Sequence, residues 1–170
     1  MLIDTLTIGN TPKSFDAVIP SSEIDLESEG VELAGDVKLS GEAKAIDGTF
    51  EVDGILTSVL NVDCARCLES VIFPLSGSFE ARFVPPDVFD AAEEHELEGD
   101  ALTVDVLTGD SIDLTAVARE QILLNLPEQL FCKPECKGLC VKCGVNRNLT
   151  DCKCIDEEID PRWAALKNLN

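Results

Sequence analysis

The stretch that decides the fold is VKLSGEAKAIDGTFEVDGIL, residues 37–56. Its apolar side chains alternate with polar ones, and a period of two predicts strands that each bury one face. Asp47-Gly48 separates two such runs, and this pair of residues is a strong signal for a tight hairpin turn. Gly54 interrupts the second run, where we expect a β-bulge. The stretch therefore predicts an antiparallel hairpin.

Similar patterns continue on both sides of this hairpin. Alternating residues predict further strands between about Val31 and Val84, joined by short antiparallel connections. The period then changes, because Asp113 or Thr115 can cap a helix over residues 113–126 that Pro127 ends. On this helix we expect three apolar side chains to be buried, namely Val117, Ile122 and Leu124. Near the end of the chain, Asp160-Pro161 predicts a short helix that carries Trp163, Leu166 and Leu169.

Together these patterns predict an α+β fold, in which an antiparallel β meander packs with one main helix. A small C-terminal zinc knuckle and a short terminal helix complete the predicted architecture. The predicted divisions are an acidic α+β body at residues 1–130, a cysteine-rich zinc knuckle at 131–154 and a C-terminal tail at 155–170.

The chain is strongly acidic, since 33 Asp and Glu residues stand against 13 Lys and Arg in 170 residues and give a formal net charge of −20. Such a chain repels phosphate backbones and anionic lipid surfaces, which disfavours a broad nucleic-acid-binding face and a membrane partner. No apolar run reaches the roughly 18–20 residues of a membrane span. The first residues lack the basic and apolar regions of a secretory signal, so we expect a cytoplasmic protein.

The acidity is unevenly distributed. Residues 1–130 carry 27 acidic and 6 basic side chains, whereas residues 131–170 carry 6 acidic and 7 basic ones. Residues 87–100 hold seven carboxylates and no Lys or Arg. We interpret that cluster as a solvated loop, with an acidic arm that docks on a basic partner or mimics nucleic acid as the alternative.

Six of the eight cysteines lie within residues 132–154. Zinc takes four soft ligands in a tetrahedron, and a turn with Cys140 and Cys143 followed by Gly144 would present two thiolates to one ion. Nearby lysines can offset the double negative charge of four thiolates around Zn²⁺, and a segment with so few aliphatic residues could not fold without an ion. The second ligand pair comes either from the two cysteines before this turn or from the two after it, and the candidate ligands are Cys132, Cys136, Cys140, Cys143, Cys152 and Cys154.

The remaining cysteines form a separate motif, Cys64-Ala65-Arg66-Cys67, between two predicted strands. It could supply half of a second zinc site that two C-terminal cysteines complete. It could instead be a redox pair, although thioredoxin-type chemistry places such a motif at a helix N-terminus. A third interpretation is a structural turn with reduced thiols. A secreted disulfide scaffold is disfavoured, because the chain is long enough to hold a core without cross-links.

No constellation typical of an enzyme is present in the sequence. His95 is the only histidine and lies in the acidic cluster, so a Cys/His nucleophile pair has no good candidate. The sequence also has no Gly-rich phosphate loop after a strand. We therefore expect neither catalysis nor a small-molecule substrate.

Several strings of residues carry a family resemblance that covers most of the chain. They are Ser14-Phe15-Asp16, Ile24-Asp25-Leu26, Val37-Lys38-Leu39-Ser40-Gly41, Cys64-Ala65-Arg66-Cys67-Leu68-Glu69, Ile112-Asp113-Leu114, Glu120-Gln121-Ile122-Leu123-Leu124-Asn125-Leu126-Pro127, Cys136-Lys137-Gly138-Leu139-Cys140, Cys143-Gly144 and Asp160-Pro161-Arg162. With these strings the chain resembles the YceD family, the large ribosomal RNA subunit accumulation proteins. The resemblance implies a cytoplasmic, non-enzymatic factor that supports accumulation of 23S ribosomal RNA through processing, stability or assembly of the large subunit.

The partner that this resemblance implies is a large-subunit ribosomal precursor, a ribosomal protein, or an assembly or processing factor. Because the body is acidic, we expect it to contact basic proteins. The basic side chains of the knuckle either touch RNA locally or only balance zinc thiolates; they are Lys133, Lys137, Lys142, Arg147 and Lys153.

Other functional classes remain open. A redox-regulated zinc-thiolate holdase is one, since oxidised thiolates release their metal and unfold the segment around them. A thiol oxidoreductase that uses Cys64 and Cys67 is another, and a metal-binding interaction protein is a third.

Overall fold

The computed structural model describes residues 1–86, residues 104–154 and Arg162. The predicted acidic loop with His95 and the predicted terminal helix with Trp163 lie outside the described residues.

The described part of the chain is mostly β-structure with one α-helix. Six strands form one sheet in the order β2-β4-β5-β6-β7, with β3 beside β5, and the two short strands β1 and β8 pair with each other. Neighbouring strands are antiparallel except β7, which runs parallel to β6. The strands are β1 (Leu2–Asp4), β2 (Lys13–Ile19), β3 (Val31–Leu33), β4 (Val37–Ile46), β5 (Thr49–Asp63), β6 (Ser70–Val84), β7 (Val104–Val106) and β8 (Ser111–Asp113), and the helix is α1 (Leu114–Asn125).

The hairpin of β4 and β5 forms where the sequence predicts it. Its two-residue turn consists of Asp47 and Gly48, which have φ angles of 51° and 83°. Positive φ at both positions is the requirement of a type I′ turn, and this turn matches the twist of the flanking strands. The predicted antiparallel architecture with one main helix is confirmed, while the parallel pairing of β7 is a feature that the periodicity did not predict.

The predicted bulge at Gly54 is wrong. The register of β4 and β5 runs without interruption from the pair Lys38 and Thr57 to the pair Ile46 and Thr49, and Gly54 lies directly opposite Gly41. A Cβ atom on Gly54 would lie 2.9 Å from the Cα of Gly41. The two glycines therefore allow a close approach of two backbones, for which a side chain leaves no room.

The second hairpin has the longest strands in the described part of the chain. Strands β5 and β6 each contain 15 residues, and they pair from Phe50 and Phe83 to Asp63 and Ser70. The connecting loop of residues 64–69 contains the Cys-x2-Cys motif. The loop thus stands at the far end of a long, fully paired ribbon.

Helix α1 packs against the inner face of the sheet, mainly along β6. Its N-cap is Asp113, whose carboxylate accepts a hydrogen bond of 2.9 Å from the backbone N–H of Thr115. Gly77 of β6 leaves space for the side chain of Asn125 at the end of the helix. The buried stripe has the spacing of an amphipathic helix, and it consists of Leu114, Val117, Ala118, Gln121 and Ile122.

The helix prediction is confirmed in extent but wrong at one side chain. Leu124, which we expected to be buried, is 68% exposed. It lies in the last turn, beside the stripe rather than within it. Among the described residues, no helix is long and apolar enough to cross a membrane.

Replacing Gly41 by Ala should destabilise the protein. The new Cβ would collide with the carbonyl oxygen of Asp53 on the neighbouring strand, so one strand must move, at a cost of about 2–3 kcal/mol. The measurement is the free energy of unfolding from urea denaturation. Gly35→Ala is the matched control, because its Cβ would meet nothing within 4 Å. Equal stability of the two variants would contradict the close approach of β4 and β5.

Candidate metal centres

The eight cysteines converge in two groups of four. We call Cys64, Cys67, Cys132 and Cys136 centre A, and Cys140, Cys143, Cys152 and Cys154 centre B; in each centre all sulfur atoms lie within 4.8 Å of one another. In centre A, the Sγ atoms of Cys64 and Cys136 are 3.8 Å apart and those of Cys67 and Cys132 are 3.6 Å apart.

These separations are those of metal ligands rather than of disulfides. A disulfide needs an S–S distance of about 2.05 Å. Four thiolates at about 2.3 Å from a tetrahedral zinc ion are about 3.8 Å from one another. A four-sulfur tetrahedral site is typical of zinc or iron. Each centre could therefore hold one metal ion.

The structure divides the six predicted ligands between two centres. Cys140 and Cys143 lie with the two cysteines that follow them, Cys152 and Cys154. The two that precede them lie instead with Cys64 and Cys67 at the tip of the β5–β6 hairpin, and this arrangement corresponds to the second site that the sequence left open. Spacing along the chain could not choose between these pairings, because the decisive contact spans 65 residues between Cys67 and Cys132.

Both Cys-x2-Cys loops adopt the same backbone conformation. In centre A, the N–H of Leu68 donates to the carbonyl oxygen of Cys64 at 2.9 Å, and the N–H of Cys64 donates to the carbonyl oxygen of Glu69 at 2.9 Å. The residue after the second cysteine has a positive φ angle, 58° at Leu68. The loop therefore folds back on its first cysteine.

Centre B repeats this geometry. The N–H of Gly144 donates to the carbonyl oxygen of Cys140 at 2.8 Å, and the N–H of Cys140 donates to the carbonyl oxygen of Val145 at 2.9 Å. Gly144 has a φ angle of 71°. Glycine adopts this conformation without strain, whereas a non-glycine residue such as Leu68 pays a conformational cost there. The same turn in both loops supports a shared function, which is to present two cysteine ligands to one ion.

Backbone N–H groups stabilise the thiolate form of one cysteine in each centre. Burial opposes ionisation of the Cys64 thiol, but backbone N–H groups of Cys132, Arg66 and Cys67 outweigh it and lower the pKa of Cys64 to about 6. In centre B, the N–H groups of Cys143 and Lys142 lower the pKa of Cys140 to about 6. Each centre thus holds a sulfur that is ionised at neutral pH.

Two other thiols, one in each centre, resist ionisation. The N–H of Glu69 favours the thiolate of Cys67, yet burial and the neighbouring cysteine sulfurs raise its pKa to about 12. The hydrogen bond with Cys143 raises the pKa of Cys154 to about 12. A divalent cation would remove this mutual repulsion, so metal binding must release protons.

Arg66 fastens the C-terminal segment to the hairpin tip. Its guanidinium donates hydrogen bonds to the carbonyl oxygens of Pro134 at 3.2 Å and Cys136 at 3.1 Å, and it lies 4.1 Å from the ring centroid of Phe131. Its own carbonyl oxygen accepts from the N–H of Leu139 at 2.9 Å. The sequence did not predict this role of Arg66, although a cation inside a Cys-x2-Cys motif was a usable signal.

Two asparagines join the centres to each other. The side-chain amide of Asn148 donates to the Sγ atom of Cys136 at 3.2 Å, which is the largest cause that lowers the pKa of that thiol. Asn146 accepts from the N–H of Asn148 at 2.9 Å and donates to Glu69 at 3.1 Å. Hydrogen bonds to ligands of this kind orient them and tune their basicity.

The centres differ in their protection from solvent. Cys64, Cys67 and Cys136 are buried, and Val71, Phe131, Cys132 and Leu139 pack around them. In centre B, by contrast, Cys143 is exposed, and Val141 beside it is 92% exposed. Centre A is shielded, whereas centre B is open on one side.

Comparison with known proteins identifies the family of this chain. The family model described as "Large ribosomal RNA subunit accumulation protein YceD" matches residues 52–170. The chain belongs to the YceD family. Its match begins in β5 and includes both centres. No solved structure matches the chain.

Three curated relatives show how far the similarity extends. An uncharacterized protein of Mycobacterium tuberculosis is 28% identical over 98% of this chain and 79% of its own length. An uncharacterized protein of Bacillus subtilis is 25% identical over 91% of this chain and 86% of its own length. The chloroplastic large ribosomal RNA subunit accumulation protein YCED homolog 1 of Zea mays is 27% identical over 76% of this chain and 52% of its own length.

The purified protein should contain two metal ions per chain. Replacing Cys140 and Cys143 by Ser should remove one ion, because the remaining two sulfurs of centre B cannot complete a tetrahedron. Elemental analysis against protein concentration gives the ratio. Val141→Ser, in the same loop but without a ligand atom, is the control and should keep both ions. A ratio of one in the unmodified protein would contradict the two-centre arrangement.

The two ions should leave at different rates. Because Cys143 is exposed and centre A is surrounded by apolar side chains, a chelator should remove the ion of centre B first, by roughly tenfold or more in rate. The measurement is metal release to a coloured chelator over time. The C140S/C143S variant should lack the fast phase, and loss of the slow phase in that variant would show that the assignment is reversed.

Proposed function

We propose that this protein is a non-enzymatic, cytoplasmic factor that supports accumulation of 23S ribosomal RNA and of the large ribosomal subunit. The observation that carries the proposal is membership of a family described by large ribosomal RNA subunit accumulation, together with relatives in Zea mays and Arabidopsis thaliana that carry the same description. The protein acts as a binding component in processing, stabilisation or assembly.

The metal in both centres is zinc in this proposal. Four thiolates in a closed tetrahedral arrangement are the donor set of a structural zinc site. The ions hold the C-terminal segment in place, because the segment has little apolar surface of its own. Zinc therefore supplies folding energy rather than chemistry.

The partner in this proposal is a protein, such as a ribosomal protein or an assembly or processing factor of the large-subunit precursor. Five basic side chains lie in residues 131–154, against the acidic Glu135 and Asp151. These side chains give the segment a net charge of +3. Each zinc with four thiolates carries a charge of about −2, so the two centres together more than offset that positive charge. This balance favours the interpretation that the lysines neutralise thiolates, and it disfavours a knuckle that binds RNA phosphates.

Depletion of the protein should lower the ratio of large to small ribosomal RNA in the cell. A strain depleted of the protein would be complemented with the unmodified gene, with C140S/C143S, or with Val141→Ser. We expect the unmodified gene and Val141→Ser to restore the ratio, and we expect the cysteine variant to fail because the knuckle cannot hold its ion.

Protein levels are measured in parallel by immunoblot, so that loss of the protein is distinguished from loss of its activity. An unchanged ratio of the two RNAs on depletion would overturn the proposed function. If C140S/C143S restores the ratio, the proposed function stands but does not require centre B.

A redox-regulated zinc-thiolate protein is a second candidate, and the exposure of Cys143 is the observation that favours it. Exposed zinc thiolates are open to oxidation, which releases the metal. This function requires that mild peroxide treatment expose apolar surface, and the binding of a hydrophobic dye measures the exposed apolar surface. The burial of Cys64 and Cys67 among other cysteines disfavours a thiol oxidoreductase at that pair.

A further inference from the structure

The outer face of the large sheet is free of the helix. Along β5, Val52, Leu56 and Leu60 are at most 1% exposed and form the inner face, whereas Asp53 and Ile55 alternate with them on the outer face. The alternation follows from the period of two in a strand. The sheet is thus covered on one side only, in the described part of the chain.

Part of this outer face is apolar. Ile55 is 53% exposed, Val59 is 40% exposed and Ile72 is 73% exposed. Val59 pairs with Pro74 across the β5–β6 ribbon, and Ile72 pairs with Asn61. These side chains therefore lie on two adjacent strands of one surface. Apolar groups gathered on an exposed face and bordered by polar ones mark interaction surfaces.

A row of three carboxylates borders the apolar part. Glu42 of β4 lies opposite Asp53 of β5, and Asp53 lies opposite Glu80 of β6. Like charges directly opposite each other on a sheet are destabilising. The repulsion between these carboxylates destabilises the isolated protein. A positively charged partner on the same face would relieve the repulsion.

The protein's own cations leave this row largely unneutralised. Among the described residues, the ion pairs on this face join Lys44 to Glu51, and Arg82 to Glu51 and Glu80. None of the ion pairs between described residues includes Glu42 or Asp53. The pKa of Lys44 is raised, first by its hydrogen bond to Glu51 and further by the charges of Asp53 and Glu80. The face is electrostatically negative.

The charge of this face selects among possible occupants. RNA is excluded by the repulsion between carboxylates and phosphates. A second copy of the chain would place the same carboxylates against one another in a two-fold interface, where like charges repel. A cationic protein segment with some apolar side chains complements both parts of the surface.

We infer that the outer face formed by Ile55, Val59 and Ile72 with Glu42, Asp53 and Glu80 docks a lysine- and arginine-rich segment of a protein partner. This inference rests on the proposed function and specifies the partner of the ribosome-related role. The apolar side chains supply contact area, and the carboxylate row supplies orientation and attraction at long range.

The first step of the test finds what touches the face in cells. A photoreactive phenylalanine analogue replaces Ile55 in the full-length chain, and a second strain carries it at Leu124, which is exposed on the helix. Illumination of the Ile55 strain should cross-link a protein with an excess of Lys and Arg, and the Leu124 strain should not. Cross-links to RNA, to a second copy, to a protein without basic excess, or to nothing would overturn the inference.

The second step measures affinity with that protein after purification. The variant E42Q/D53N removes two charges from the face and keeps the side-chain shapes, while E120Q/E128Q removes two charges elsewhere. We expect about tenfold weaker binding for the first variant and less than twofold change for the second. Equal affinities of all three proteins would overturn the role of the carboxylate row.

Thermal unfolding separates docking from folding. Because E42Q/D53N relieves repulsion between opposite carboxylates, its melting temperature should equal or exceed that of the unmodified protein. A lower melting temperature would assign the row to stability and overturn the inference.

The ribosomal RNA ratio separates this inference from the proposed function. If a basic protein is cross-linked but it has no part in large-subunit assembly, and depletion leaves the RNA ratio unchanged, the proposed function is overturned and the docking inference stands. If no basic protein is cross-linked but depletion lowers the ratio of large to small ribosomal RNA, the docking inference is overturned and the proposed function stands.

Discussion

The convergence of four cysteine sulfurs at centre A holds the end of the described chain to its body. Cys64 and Cys67 come from the tip of the β5–β6 hairpin, and their partners follow helix α1 by a few residues. Contacts between residues that are 65 and 72 positions apart close a long loop, and such closure is unfavourable unless a strong interaction compensates for it. A metal ion held at this point would supply that interaction, and Arg66 adds hydrogen bonds and a contact with the ring of Phe131.

Centre B depends on this anchor. Its first ligand, Cys140, follows Leu139, whose N–H is bound to the carbonyl oxygen of Arg66. Asn146 and Asn148 then connect the segment back to Glu69 and Cys136. These hydrogen bonds set the position of centre B relative to the body through centre A. The position of centre A thus depends on the long hairpin, and the position of centre B depends on centre A.

Structures that depend only on neighbouring residues were predicted correctly from the sequence. The Asp47-Gly48 turn and the helix with Asp113 as its cap require only neighbouring residues, and both were predicted from them. Gly54 has the same local signal whether it forms a bulge or faces another glycine, and only the register with Gly41 distinguishes the two. Likewise, the cysteine types predicted a metal site, but their division into two centres depends on how the hairpin tip meets the C-terminal segment. The parallel strand β7 left no periodic signal in its three residues.

The β5–β6 ribbon carries two separate features. Its tip presents ligands to centre A, whereas its outer face, farther along the same strands, presents Ile55 and Asp53. The strands pair along their whole length and bury Leu56 and Leu60 in the body. The shape of that face is therefore set by the hydrophobic core, whereas metal ions in the two centres would act on the tip alone. Loss of a metal ion and loss of a carboxylate should consequently act through different parts of the molecule, although one ribbon connects them.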